Sequence, residues 1–128
     1  MAEIDRDKAA ARLREREQEI EERRRHIEAE DADARGTELA DYDQHEADQG
    51  TETHDLELDQ TTLAILEAEL KDVKTAQQRL EEGTYGICIV GGEEIPAGRL
   101  EAIPEAIRCI EHQRIYDAEL RAQGGPLL

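Results

Sequence analysis

Residues 85–113 read Tyr85-Gly86-Ile87-Cys88-Ile89-Val90-Gly91-Gly92-Glu93-Glu94-Ile95-Pro96-Ala97-Gly98-Arg99-Leu100-Glu101-Ala102-Ile103-Pro104-Glu105-Ala106-Ile107-Arg108-Cys109-Ile110-Glu111-His112-Gln113. Directly before them, Gly83 follows an unbroken helical pattern and signals its stop. The Ile/Val run and the paired Gly91-Gly92 predict a short hairpin of two strands. Ala97 to Ile103 has room for one or two helical turns, Pro104 to Ile107 for an extended link, and Cys109 to Gln123 for a last helix ended by Gly124-Gly125-Pro126.

Upstream the texture is different. From Glu3 to about Ala34 there is neither Gly nor Pro, and the Ala, Glu, Arg and Gln that dominate lose little rotamer freedom in a helix. Leu13, Ile20 and Ile27 recur every seven residues, while Ala10, Glu17 and Arg24 fill the intervening seam positions. Such a thin stripe needs a partner helix. The stretch from about Thr51 to Glu82 supplies one, with Leu63, Leu66, Leu70, Val73 and Leu80 at coiled-coil spacing and Gln77 interrupting them. Two such helices make an antiparallel hairpin roughly 45 Å long.

Between the helices, the sequence predicts a long connection from Arg35 to Gly50, more than a helical hairpin requires; loops of that length tend to be functional or disordered. Asp41, Asp43, Glu46 and Asp48 make it acidic, with Tyr42 and His45 among them, and Asp48 also suits the N-cap of the second helix.

The whole chain of 128 residues has 33 acidic and 16 basic side chains, a formal net charge of −17, and only 2% aromatic residues. A large globular core is not expected. Nor is direct nucleic-acid binding, which relies on Lys and Arg displacing counterions from phosphate. A basic protein surface or channel would attract this chain, so the expected partner is a protein. The N-terminus, Met1-Ala2-Glu3-Ile4-Asp5, lacks the apolar run of a signal peptide, and no stretch approaches the roughly 20 apolar residues of a membrane span. A cytoplasmic location is expected, and in that compartment the two cysteines read as free thiols or metal ligands rather than a structural disulfide.

Tyr85, Gly86, Cys88, Gly92, Ile95, Arg99, Leu100, Ala102, Pro104, Ala106, Cys109 and Gln113 stand at fixed separations. The pattern resembles the C4-type zinc finger of the DksA/TraR family. The likeness extends over about residues 5 to 120, since members carry a coiled-coil hairpin with an acidic tip before the finger. The Gram-positive branch has a tip segment similar to Tyr42-Asp43-x-His45-x-Ala47-Asp48-x-Gly50-Thr51-Glu52. The implied fold is mainly α: residues 1–82 a long antiparallel coiled-coil hairpin with its tip at about 35–54, residues 83–123 a small zinc-finger-like module (short β-hairpin plus helices) with a C-terminal helix, and residues 124–128 a tail.

This chain departs from the family pattern at two places. Gly91 stands where the family has its second zinc cysteine, and His112 where it has its fourth. Cys88, Cys109 and His112 remain as metal ligands, three where a closed structural zinc site uses four, so zinc is permitted but no longer implied. Water, Glu93 or Glu111 would have to fill the fourth place. Without metal, the two cysteines would be inert buried thiols or, since the family fold brings them together, a redox-dependent disulfide. Packing by Ile87, Ile89, Val90, Ile95, Ile103, Ile107, Ile110 and Ile115 is expected to replace coordination in part, each buried aliphatic side chain contributing on the order of 1.5–3 kcal/mol.

The resemblance implies a transcription regulator that binds RNA polymerase through the secondary channel, without binding DNA, and inserts its tip toward the active centre. Asp48 matches the second aspartate of the family tip motif, His45 stands where the first would be, and Asp43 and Asp41 are further tip candidates. A monomer is the family expectation. Two alternatives stay open: a Gre-like transcript cleavage factor whose tip carboxylates hold a metal ion, and an acidic coiled-coil adaptor that has lost polymerase regulation. No nucleophilic triad or phosphate loop is present, so the chain is not expected to be an enzyme.

Overall fold

The computed structural model describes residues 4–40 and 49–124. It contains four helices, α1 (Arg6–Ala40), α2 (Gln49–Glu82), α3 (Ala97–Ala102) and α4 (Ile110–Ala122). Helix α1 begins where Asp5 accepts a hydrogen bond from the Lys8 amide at 3.1 Å, which satisfies one of the free N–H groups of the first turn. Gly83, at φ +81°, ends α2, and the Thr84 amide turns back to the Arg79 carbonyl at 2.8 Å.

The two long helices pack along the predicted seam. Leu13, Ile20 and Ile27 of α1 are buried against Leu66, Leu70, Val73 and Ala76 of α2, with Leu63 and Leu80 partly buried beside them. Glu17 meets Gln77, and Arg24 lines one groove with Leu70 and Lys74, so later residues of α1 face earlier residues of α2 and the pair is antiparallel. Among the described residues, no helix is long and apolar enough to cross a membrane.

Two expectations are corrected. The connection is shorter than the sequence predicts: α1 runs past Ala34 and through Gly36 to Ala40, and α2 starts at Gln49. A single helical glycine costs only about 1 kcal/mol relative to alanine, and the following Leu39 and Ala40 are strong helix formers. The predicted two-stranded hairpin shrinks to one antiparallel bridge, Ile87 with Glu94, and the described residues contain no strand. Gly86 at φ +87° and Gly92 at φ +78° bend the backbone on both sides of that bridge. The Ile89 amide, which would continue a ladder, donates instead to the Ile107 carbonyl at 2.9 Å.

The finger rests on the hairpin through Ile107, which joins the seam cluster. Polar contacts secure the same junction. Arg12 donates to the carbonyls of Leu100 and Glu101, and Arg16 reaches Glu69 at 3.0 Å and Glu105 at 3.6 Å.

Candidate metal centre

The knuckle that carries Cys88 is built by backbone hydrogen bonds. Its amide donates to the Glu93 carbonyl at 2.8 Å, and the Gly92 amide donates back to the Cys88 carbonyl at 3.0 Å. These two bonds close a tight loop over residues 88–93, for which the positive φ of Gly92 is the steric condition. Tyr85, Ile95, Leu100 and Ala106 surround Cys88 in a small apolar cluster that Cys109 also touches. The motif residues are therefore largely the framework of this knuckle. The Tyr85 hydroxyl donates to the Pro104 carbonyl at 2.9 Å, and Arg99 Nε to the Arg108 carbonyl at 3.3 Å.

Cys109 is the N-cap of α4, its Sγ accepting from the His112 amide at 3.4 Å. The cap places His112 one turn later on the same side, where Nδ1 lies 3.0 Å from Cys109 Sγ and 3.4 Å from Cys88 Sγ. Glu93 approaches the same nitrogen, with Oε2 at 3.3 Å. Donor atoms of Cys88, Glu93, Cys109 and His112 all lie within 4.8 Å of one another. The three ligand positions expected from the sequence are thus brought together. Of the two carboxylates named for the fourth place, Glu93 joins the group and Glu111 does not.

Electrostatics ties the four groups to each other. Burial pushes the Cys88 thiol up, but the amides of Gly91, Cys109 and Val90 and the Cys109 thiol together bring it down to about 7. At Cys109 the His112 amide favours the thiolate, yet burial and the neighbouring Cys88 and Glu93 outweigh it and hold the pKa above its ordinary value. Burial disfavours the His112 imidazolium, while Cys88, Glu93 and Glu111 raise its pKa overall. Burial raises Glu93; its own amide, Cys88 and His112 reverse this and lower it.

Two thiols, an imidazole and a carboxylate form the donor set that zinc accepts in fourfold sites. The residues present fit the metal. When bound, it would tie the 88–93 knuckle to α4 and contribute folding free energy to the finger.

The packing that was expected to replace coordination in part is present only in small measure. Of the eight aliphatic residues named for it, only Ile95 and Ile107 are buried. Ile89, Val90, Ile103, Ile110 and Ile115 are exposed, Val90 by 62%.

Arg108 was missed by the sequence reading. Although charged, it is only 8% exposed, stacks over the Tyr116 ring at 3.7 Å and faces Asp72 of α2 at 3.9 Å. An arginine beside a ligand cysteine gives no signal of such burial. The tip candidates Asp41, Asp43, His45 and Asp48 lie outside the described residues.

Comparison with known proteins gives this geometry its relatives. Residues 83–117 match the family "Prokaryotic dksA/traR C4-type zinc finger". The uncharacterised protein YteA of Bacillus subtilis is 46% identical over 76 residues, 59% of this chain and 31% of that protein. General stress protein 16O of the same organism is 42% identical over 78 residues, 61% of this chain and 48% of that protein. The chain thus spans less than half the length of both. Among solved structures, transcription factor DksA2 from Pseudomonas aeruginosa superimposes with a TM-score of 0.68 at 26% identity, over 91% of this chain and 85% of that one. Residues 83–117 thus match the DksA/TraR finger, and the chain as a whole is similar in fold to the transcription factor DksA2.

Proposed function

We propose that this protein is a transcription regulator that binds bacterial RNA polymerase through the secondary channel, carrying the acidic end of its hairpin toward the catalytic centre without contacting DNA. The observation that supports this most is the pairing of a long two-helix rod with a finger at its root, the arrangement shared with the transcription factor DksA2. The net charge of −17 suits a basic channel, which would steer the rod inward and repel nucleic acid. Helix α2 has 34 residues, which gives the rod reach for a recessed site. The rise of an α-helix is about 1.5 Å per residue.

In this reading residues 1–82 are the inserting arm, residues 83–123 the module that holds it and residues 124–128 a tail, and the protein acts as a monomer in the cytoplasm. Asp48 supplies the fixed negative charge, with Asp41, Asp43 and His45 beside it, and the protein acts by altering promoter complexes rather than by catalysing a reaction.

The test is binding of the purified chain to bacterial core RNA polymerase with a Gre-type factor as competitor for the channel. Saturable, competed binding that weakens with salt is expected. Absence of binding at low salt would overturn the proposal in favour of an adaptor role. Accelerated RNA release from stalled complexes would replace it with a cleavage-factor role.

A further inference from the structure

The family's second cysteine is missing at Gly91, and the structure places another side chain in the space it leaves. A Cβ built at Gly91 would overlap the Glu93 carboxyl group, whose Oε1, Cδ and Oε2 are its three nearest atoms. Gly91 does not have a positive φ, so its backbone makes no demand for glycine. What the glycine provides is room.

Through that room the Glu93 carboxylate reaches the cluster of Cys88, Cys109 and His112, and the ion partner found for it among the described residues is His112. With Ile89, Ile103, Ile110 and Ile115 exposed, packing offers the finger little compensation for the loss of a cysteine. We propose that Glu93 takes the coordinating place of the absent cysteine, and that the chain holds one zinc ion through Cys88, Cys109, His112 and Glu93.

The chemistry of such a centre differs from that of a four-cysteine finger. Four thiolates on a divalent cation leave a formal charge of −2, whereas two thiolates, a neutral imidazole and one carboxylate leave −1. The Glu93 side chain is 49% exposed, so the carboxylate is also the ligand most open to water and to competing chelators. The site therefore exchanges metal more readily than a buried four-thiolate site.

The experiment uses the full chain, with zinc titrated against a chromophoric chelator and cobalt(II) as a spectroscopic probe of ligand number and type. One metal per chain is expected, with thiolate-to-cobalt charge transfer for two sulfurs. Glu93→Gln should weaken zinc by about a hundredfold or more, at or beyond the upper end of what losing a contact to a ligand, rather than a ligand itself, costs. Gly91→Ala keeps all four donors but displaces the carboxylate, and is expected to weaken zinc in the same direction. Combining Gly91→Cys with Glu93→Ala should recover the affinity and raise the charge-transfer intensity by about half, as three sulfurs replace two. Far-ultraviolet circular dichroism checks that the hairpin stays helical in each variant. A wild-type chain that takes up no zinc, unchanged affinity in Glu93→Gln, or no recovery in the double variant would each overturn the assignment. In those cases Glu93 is simply an ion partner of His112.

Discussion

Gln77 Nε2 donates to Glu17 Oε2 at 2.9 Å across the hairpin. These are polar residues that interrupt the apolar stripes of α2 and α1, and they interrupt them at the same level. A seam of few leucines tolerates sliding; a polar pair at one level does not, because any shift leaves both groups facing apolar neighbours.

Replacing Gln77 alone with Leu should therefore cost about 1 kcal/mol, as Glu17 loses its partner in a half-buried position. Replacing Glu17 and Gln77 together with Leu should recover that loss or exceed it. Chemical denaturation of the two single variants and the double variant gives the coupling energy directly, and a coupling of zero would remove the pair from any role in register.

Gly86 combines φ +87° with crowding: a Cβ there would meet Ile4 Cδ1 at 2.7 Å and Leu100 Cδ1 at 3.4 Å. Gly86→Ala is expected to destabilise the finger by about 1–3 kcal/mol, from backbone strain and the displacement of Ile4. Thermal unfolding of this variant beside Gly98→Ala, where a Cβ meets nothing within 4 Å and φ is not positive, isolates the effect.

Burial raises the pKa of Asp72, and Arg108 opposes that rise. A carboxyl group with a raised folded-state pKa contributes stability fully below its unfolded value of 3.8, and loses it as pH rises through the folded value. Arg108→Met removes the opposing charge and lifts the folded pKa further. Its loss of stability should be greatest near pH 7, at about 2 kcal/mol, below the roughly 3–5 kcal/mol of a fully buried broken pair. The reduction reflects the Asp72 side chain, which is 22% exposed. The deficit should shrink as pH falls from neutrality toward 3.8. A deficit independent of pH would assign the effect to lost stacking on Tyr116 alone.

Asp48→Asn removes one negative charge from the proposed inserting end while preserving size. Transcription assays should lose the regulatory effect, with binding to the polymerase retained within a few-fold, as expected when one charge among many is removed. Normal regulation by this variant would exclude Asp48 from the mechanism.

Periodicity made the hairpin legible, because Leu13, Ile20 and Ile27 leave one face on which a helix can bury anything at all. Its extent was less so: Gly36 reads as a stop, yet a glycine inside a propagating helix is a modest local cost that neighbouring residues offset. The finger was legible as a pattern and not as a geometry. Ile87 to Val90 have the composition of a strand, but the amides that would form a ladder are spent on the 88–93 knuckle and on Ile107. The ligand triad followed from spacing within a known motif, whereas the choice between Glu93 and Glu111 depends on which carboxylate enters the gap at Gly91. That gap exists only in three dimensions. Arg108 had no sequence signal, since its burial depends on Tyr116 and Asp72 arriving from two separate helices.

The junction around Ile107 sits at one end of two helices, and α2 has 34 residues. At the rise of an α-helix that is about 50 Å of rod, which makes the junction the fulcrum of a lever. A rotation of about 5° at Ile107, Arg12 and Arg16 sweeps the distant end of α2 through about 4 Å, more than the length of a hydrogen bond. Minor repacking at the root would thereby be amplified into a large displacement of the far end of the rod.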